Sequence, residues 1–571
     1  MKKAGYVISI ILVILISGYL LLRFHFLKTK TIQPDYSKSK SVTDLRPLVI
    51  AKMQELVKDG SGGLYNLSIG KVDAEFSASG FDIINASLIP DSAALAALNL
   101  AKKAPDDVFK MAFDTLHITG ISLLDFLHKK DISLDTIYIR HPVAQIYHDP
   151  RPYNAQQRKQ DSTETIYQKL KKQFNSITIN AIEINNGSLA TIIIGKKNAT
   201  QKFNDISITL QKFLFDSSAQ FDNNRFLFAR DILLSFHNYL IKTPDSLYTF
   251  TADSISIAAA KRSLVFNGVA FLPHGNKAEF EKKVKTIKDM FTLRFPKIVF
   301  NEVNWQQLMN KNCFIAGSAT IEDATLKDYL DRTLPHSGNF TYDDFPQQLL
   351  MKIPTKLDIQ RLNIHNFSVE YEELSPESKQ SGKAYFTRIT GIVTNVTNMP
   401  ALIQKKHTCI AAASGLFMQT VTMKASLVFD LSKSSNGGFS ADVQVDSIKK
   451  ETINPLANTL GLFDVKAGIM HKGNAHAEGN NFSAKASGTV WYNDLKIAVL
   501  KKNKNDSLKN KAITSFIANT FIVKKNNPEK DKAVRSGDVV LQRDHKYGSF
   551  FNFVWGAIRK GLLKIIMPAK G

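Results

Sequence analysis

Along most of this chain apolar and polar residues alternate with a period of two, the signature of strands that bury one face. From Leu64, LYNLSIGKVDAEFSASGFDIINASLIPD alternates and is broken at Gly70 and Gly80, as expected of half-buried antiparallel strands. The block FDTLHITGISLLDFLHKKDISLDTIYIRHPVAQIY from Phe113, followed by ITINAIEINNGSLA from Ile177, has the same character. A second block, FPKIVFNEVNWQQLMNKNCFIAGSATIEDATLKDY from Phe295 with LDIQRLNIHNFSVE from Leu357, repeats it. Phe295 stands 182 positions after Phe113, and the same offset pairs Ile118 with Phe300, Leu123 with Trp305 and Ile139 with Ile321. Later the offset is 180, for Ile179 with Ile359, Ile184 with Ile364 and Asn186 with Asn366. Identity is low and alternating runs align easily, so the duplication is an expectation that rests on pattern. Strands continue through TVTMKASLVFDL, GGFSADVQVDSI and NFSAKASGTVWYNDLKIAVL.

Helical spacing is rarer. Leu45, Leu48, Val49, Met53 and Leu56 predict a helix capped by Thr43 or Asp44 and stopping near Gly60, where DGSGGLY reads as a turn. Further helical segments are expected at Leu123–Leu127, Ser162–Phe174 and Lys277–Met290, with a helix or ordered loop at Asp91–Lys103. Two segments differ in kind. Ala4 to Leu22 carries no charge between Lys3 and Arg23, and as a helix spans about 28 Å, close to a bilayer's hydrocarbon thickness. A signal peptide has a shorter apolar core and a small-residue cleavage site; here Arg23, Phe24, His25 and Phe26 follow. The expectation is an uncleaved anchor that includes Tyr6, Ile10, Leu15 and Leu20. Flanking charges leave its orientation open. At the other end, Ser549 to Met567 places Phe551, Val554, Trp555, Ile558, Leu562 and Ile565 on one helical stripe beside Arg559, Lys560 and Lys564. That composition suits a helix in an anionic membrane interface, and equally one docked on the protein's own sheet.

The predicted class is mostly β with few short helices: an N-terminal transmembrane helix, an elongated curved antiparallel sheet forming an open groove or sandwich lobes, and a C-terminal amphipathic helix. The expected divisions are an anchor (1–28), a tether and short helix (29–62), a first β-rich lobe (63–292), a second that repeats it (293–500), a Lys/Asn-rich region (501–548) and the terminal helix (549–571).

Composition narrows the function. At 571 residues with 44% hydrophobic side chains the chain supports large cores and excludes wholesale disorder. Its formal charge of +23 is spread along the sequence without zinc-finger, helix-turn-helix or RNA-binding signatures, so nucleic acid is not an expected partner. Cys313 and Cys409 are too few for a disulfide framework; a single bridge or two buried thiols both stand. No zinc-protease, nucleophile-elbow, Walker or dinucleotide-binding motif occurs. His471 and His476 read as loop residues, and Asp343–Asp344 and Glu372–Glu373 are adjacent carboxylates in apparent loops. Neither set has the spacing of a catalytic or metal site, and the expectation is a non-enzyme without a cofactor. A sheet with one apolar face and few helices to cover it can instead hold apolar ligands, with Ile177, Ile179, Ile182 and Ile184 as candidate lipid-facing positions. A sandwich filled by its own side chains is the alternative.

The anchor at Ala4–Leu22, the strand units LHITGISLLDFLHKKDISLDTIYIRHPVAQIYH and ITINAIEINNGSLA, and the C-terminal block from Ala425 through GTVWYNDLKIAVL together resemble the AsmA-like family of bacterial envelope proteins. The resemblance implies an inner-membrane protein with a cytoplasmic N-terminus and a periplasmic β-rich body. It implies a role in outer-membrane biogenesis, holding or passing phospholipids along a hydrophobic groove, with the inner membrane, phospholipids and the outer membrane or its proteins as partners. An envelope scaffold with closed lobes and no groove is the alternative function. The chain is short for that family.

Overall fold

The computed structural model describes residues 44–567 except 45, 74–78, 122–130, 158–174, 195–199, 223, 227, 244, 312, 337–341, 343, 503–515, 522 and 545–547. The anchor residues Tyr6, Ile10, Leu15 and Leu20, the tether, and the helices expected at Leu123–Leu127 and Ser162–Phe174 lie outside the described residues. Among the described residues no helix is long and apolar enough to cross a membrane. The protein is mostly β, with 56% of the described residues in strands, one large mixed sheet and few short helices. Contacts divide it into two units. The first holds the described residues up to Ile241 with Ala252–Phe266; the second holds Lys242–Thr251 and everything from Asn267.

The first unit opens with a helix, Arg46–Gly60, stopped by a turn in which Gly62 and Gly63 take positive φ. Strands β1 (Tyr65–Asp73), β2 (Gly80–Pro90) and β3 (Asp107–Thr119) follow as an antiparallel series, with a helix, Ser92–Leu100, capped by the Asp91 carboxylate. Beyond β3 the pattern changes. Strands β4 (Asp131–Arg140) and β5 (Val143–His148) both pair antiparallel with β3 and parallel with β6 (Ser176–Ile193). They are two halves of one interrupted strand, broken at His141–Pro142. Strand β7 (Thr200–Phe215) then pairs antiparallel with β6. The expectation of a wholly antiparallel sheet is therefore corrected to a mixed one. Alternation reports which face a residue takes, not strand direction, and is the same for parallel and antiparallel neighbours. Strands β8 (Asp231–Lys242), β9 (Tyr248–Ala258) and β10 (Ser263–Pro273) contribute residues to both units.

The second unit repeats the interrupted-strand arrangement. Strand β11 (Met290–Asn301) pairs antiparallel with β12 (Cys313–Glu322) and β13 (Thr325–Asp331), which both run parallel to β14 (Lys356–Leu374). Strand β15 (Ser381–Thr397) returns antiparallel to β14. The correspondence reaches single backbone groups. His141 N–H donates to Asn185 O at 3.1 Å, and Asp323 N–H to His365 O at 3.0 Å. Ser188 N–H donates to Pro142 O at 2.8 Å, and Ser368 N–H to Ala324 O at 2.9 Å. Left-handed residues match as well: Asn186 and Asn366 have φ 54° and 53°, Asp205 and Arg388 53° and 52°, Lys212 and Asn395 53° and 59°. The first two pairs mark points where the register of the ladder shifts, which switches the side chains that follow to the opposite parity. In β6, Ile182 and Ile184 are buried before Asn186, and Gly187, Leu189 and Thr191 after it.

From β15 the chain runs as an antiparallel series: β16 (Thr408–Phe417), β17 (Val421–Asp430), β18 (Phe439–Val445), β19 (Phe463–Gly479) and β20 (Ser483–Lys502). Strands β21 (Phe516–Phe521) and β22 (Ser536–Gln542) share the far edge of β20. The helix expected over Lys277–Met290 is shorter, Lys277–Val284, because Lys285 turns left-handed and β11 begins at Met290. His471 and His476 lie on β19 and Glu372 and Glu373 on β14, so none is a loop residue. The carboxylates of Glu372 and Glu373 are strand neighbours and take opposite faces.

The terminal helix, Phe550–Ile566, is capped by the Ser549 hydroxyl, which accepts from Asn552 N–H at 3.3 Å. It packs on the sheet of its own unit. Phe550, Phe553, Val554, Ala557 and Ile558 meet Phe429, Phe439, Ala441, Ala477, Ala484, Ala486 and Leu541 in one core, and Phe345 lies 5.1 Å from Phe550, ring to ring. The Arg543 guanidinium is buried beneath, 2.7 Å from Asp344 Oδ1 and stacked 4.4 Å from the Phe345 ring centroid. The close approach of helix to sheet depends on glycine. A Cβ on Gly537 of β22 would fall 2.0 Å from the Gly561 carbonyl oxygen, and one on Gly561 would fall 3.1 Å from the Gly537 carbonyl. Gly537→Ala is therefore expected to destabilise the protein by about 1–3 kcal/mol through overpacking. Gly561→Ala costs less, because the approach is looser and alanine favours the helix by about 1 kcal/mol. Thermal and urea unfolding of both variants checks the order.

Candidate functional site: an apolar sheet face

Residues paired across adjacent strands share a face, so the register identifies what each face carries. In the second unit one transverse row runs Ile298, Ile321, Ile364, Gly391, Ala413, Ala425, Val443, Ala475 and Gly488. Neighbouring positions of the same face are Leu326, Leu362, Val369, Phe386, Val393, Phe417 and Met423. The opposite face carries Arg361, Asn363, Thr390, Ser414 and Lys424, and a charged ladder in which Lys383 lies 3.1 Å from Glu370 and 3.2 Å from Glu372. Lys277 reaches the same Glu372 at 2.6 Å. The sheet is thus predominantly apolar on one side and mixed on the other, where Ile392, Ile410 and Val428 accompany the polar and charged residues.

Cover on the apolar side is uneven. Under the terminal helix Phe429, Phe439, Ala441, Ala477, Ala484 and Ala486 are buried. From β11 to β16 the face is less protected: Ile298, Ile321, Leu362, Ile364, Phe367, Val369, Phe386, Ile389, Val393 and Phe417 all remain half-buried. Their counterparts in the first unit are closed in. Ile184, Leu189, Phe203, Ile206, Ile208 and Leu210 are all buried, the matching residues being Ile364, Val369, Phe386, Ile389, Gly391 and Val393. One duplicated arrangement thus exists in a buried and a partly open form.

The structure places the sequence-predicted positions as follows. Ile179, Ile182 and Ile184 are buried and Ile177 is half-buried, so the first block offers much less accessible apolar surface than its repeat. Sequence reasoning missed Leu362, Ile364, Phe367 and Phe386. The offset of 180 led from Ile182 and Ile184 to Leu362 and Ile364 but not to Phe367 or Phe386, and nothing in the pattern told covered from uncovered. On the terminal helix the expected stripe is divided. Val554, Ile558 and Ile565 face the sheet, Leu562 is half-buried against it, and Phe551 and Trp555 project outward, 67% and 56% exposed. Arg559 is half-buried, and Lys560 and Lys564 are exposed. Docking on the protein's own sheet is the arrangement observed. Cys313 and Cys409 are separate buried thiols; burial pushes the Cys409 thiol up to about 11, which keeps it in the unreactive neutral form.

The apolar face ends in an acidic corner. Asp328 on β13 is paired with Phe291 of β11 and with Tyr371 of β14, so its side chain belongs to the apolar side, and Glu373 follows on the same face. Glu373 accepts from the Tyr371 hydroxyl at 2.6 Å and from Arg332 at 3.3 Å. Asp328 Oδ1 is buried and has no hydrogen-bond partner. Burial, then the nearby Asp289 charge, pushes the Asp328 carboxyl up to about 8; burial raises Asp289 to about 6. The two share a site that tolerates one charge better than two. Among the described residues no group of three or more His, Cys, Asp or Glu could hold a metal ion. Elsewhere, on the first unit, His141 Nδ1 lies 3.0 Å from Asp114 Oδ2 beside a shallow recess lined by Asn85, Ser87 and Val143, with both partners largely exposed.

No protein-family model matches the chain, and no curated protein matches it in sequence.

The raised Asp328 carboxyl makes a signed statement about stability. Its folded pKa lies above the unfolded value near 3.9, so the fold gives up stability as pH rises from about 4 towards 8. Asp328→Asn removes that loss. It is expected to raise Tm by about 2–4 °C at pH values near 9 and to change it little near pH 5, read by thermal unfolding at the two values.

Proposed function

We propose that the protein is a non-enzymatic, membrane-anchored lipid-handling protein of the bacterial envelope, with its β-rich body in the periplasm and a role in outer-membrane biogenesis. In this reading it is AsmA-like, and the acyl chains of phospholipids lie on the half-open apolar face of the second unit. The observation that carries the proposal is the continuous set Leu362, Ile364, Phe367, Val369, Phe386, Ile389 and Phe417, apolar, on one face and only half-buried. Soluble proteins leave few large contiguous apolar surfaces in water without a use for them. At roughly 25 cal/mol per Å², about 200 Å² of acyl surface removed from water stabilises a bound lipid by about 5 kcal/mol. Transfer along the face needs no chemistry, since rows of similar apolar side chains present similar energies from strand to strand.

The closed apolar face of the first unit favours a second reading, an envelope scaffold that binds proteins and holds no lipid. Photocrosslinking separates the two. With a photoreactive residue at Ile364 or Phe386, phospholipid adducts are expected from the cell envelope, and with the same residue at Asn363 or Thr390 on the polar face they are not. Protein-only adducts at Ile364 and Phe386 would favour the scaffold and overturn the lipid reading.

A further inference from the structure

The terminal helix uses one face to hold the sheet, and its other face is organised as well. Phe551, Trp555 and Arg559 recur at intervals of four residues, so they form one outward ridge along the first turns of the helix, whereas Leu562 and Ile566 further on pack against the sheet. Phe551 and Trp555 are 67% and 56% exposed, and Leu563 beside them 38%. These are among the most exposed large apolar side chains of the second unit, on an element whose other face is fully packed. The helix FFNFVWGAIRKGLLKII contains three cations and no carboxylate. Lys524 adds a cation at its C-terminal end, where its backbone N–H donates to Ile566 O at 3.0 Å. Of the neighbouring acidic groups, Asp538 lies on β22 with the parity opposite to the docked Gly537, Val539 and Leu541, its backbone carbonyl accepting from Lys564 Nζ at 3.0 Å, and Asp344 is paired with Arg543.

From this arrangement we propose that the outward ridge of the terminal helix binds the surface of an anionic lipid bilayer while the helix stays docked on its sheet. Two aromatic side chains enter the headgroup region, where Trp is favoured, and Arg559, Lys560 and Lys564 meet lipid phosphates. An anionic bilayer is the occupant because an exposed aromatic ridge on a helix with three cations and no carboxylate matches a negative surface with an apolar interior. The docked face stays in place because Phe553, Ala557 and the Gly537–Gly561 contact fix the helix to the sheet. This surface is separate from the apolar sheet face, so the proposal does not depend on lipid binding there.

The test uses the full chain held in phosphatidylcholine nanodiscs and offered free vesicles of phosphatidylcholine with or without phosphatidylglycerol. Binding is expected only with phosphatidylglycerol, weakening with salt, and is read by co-flotation and by a blue shift of Trp emission that Trp555→Phe abolishes. Lys560→Gln with Lys564→Gln is expected to weaken binding about thirtyfold, each cation near such a surface contributing on the order of 1 kcal/mol. Both lysines are exposed, so the variant keeps the wild-type Tm; a second variant, Trp555→Ser, serves if it does not. Equal binding to both vesicle types, or binding unaffected by both variants, overturns the proposal. So does an absence of vesicle binding accompanied by self-association that Trp555→Ser abolishes, which would assign the ridge to a second copy of the chain.

Discussion

An alternating strand makes a sheet with one apolar face, and that face has to be covered. Much of this protein follows from how the requirement is met. In the second unit the terminal helix, together with the Phe345–Met351 segment, covers β18, β19, β20 and β22, held by a phenylalanine cluster, by alanines that keep the sheet surface low, and by one glycine-to-glycine approach. Bulky residues at Ala441, Ala477, Ala484 or Ala486 would lift the helix, so the small side chains belong to the packing as much as the large ones do. The buried Arg543 ties the Asp344–Phe345 segment to the start of the same helix, and its charge is balanced there by a carboxylate and a ring.

Where that helix ends, the cover thins. The two interrupted-strand blocks share topology, backbone hydrogen bonds and the positions of their left-handed residues, yet one buries its apolar side and the other leaves it half-open. Their difference is therefore one of surroundings, not of strand design. The same backbone irregularities serve both: each shifts the parity of the side chains so that a strand of eighteen or nineteen residues keeps its apolar positions on the same side. An acidic corner at Asp328 and Glu373 breaks the half-open face at one end, and the polar groups buried there limit how far apolar contact can extend.

The sequence by itself determined the class, because a period of two over hundreds of residues admits little else. It also located the helix after Asp44, the turn after Gly60 and the terminal helix, set by local capping and spacing, and left Asp91–Lys103 open between the helix observed there and an ordered loop. The constant offset between Phe113 and Phe295 was legible too, since the period survives where identity does not. Strand direction was not legible: β4 with β6 and β12 with β14 are parallel, and side-chain alternation is the same in both senses. Nor was the division of the terminal stripe, in which Ile558 is buried and Trp555 is not, because a broad apolar stripe can be split between two surroundings. Only the tertiary structure decided which apolar face is closed. Burial at Ile184 and openness at Ile364 arise from what lies over each residue, and that is a property of distant segments rather than of either strand.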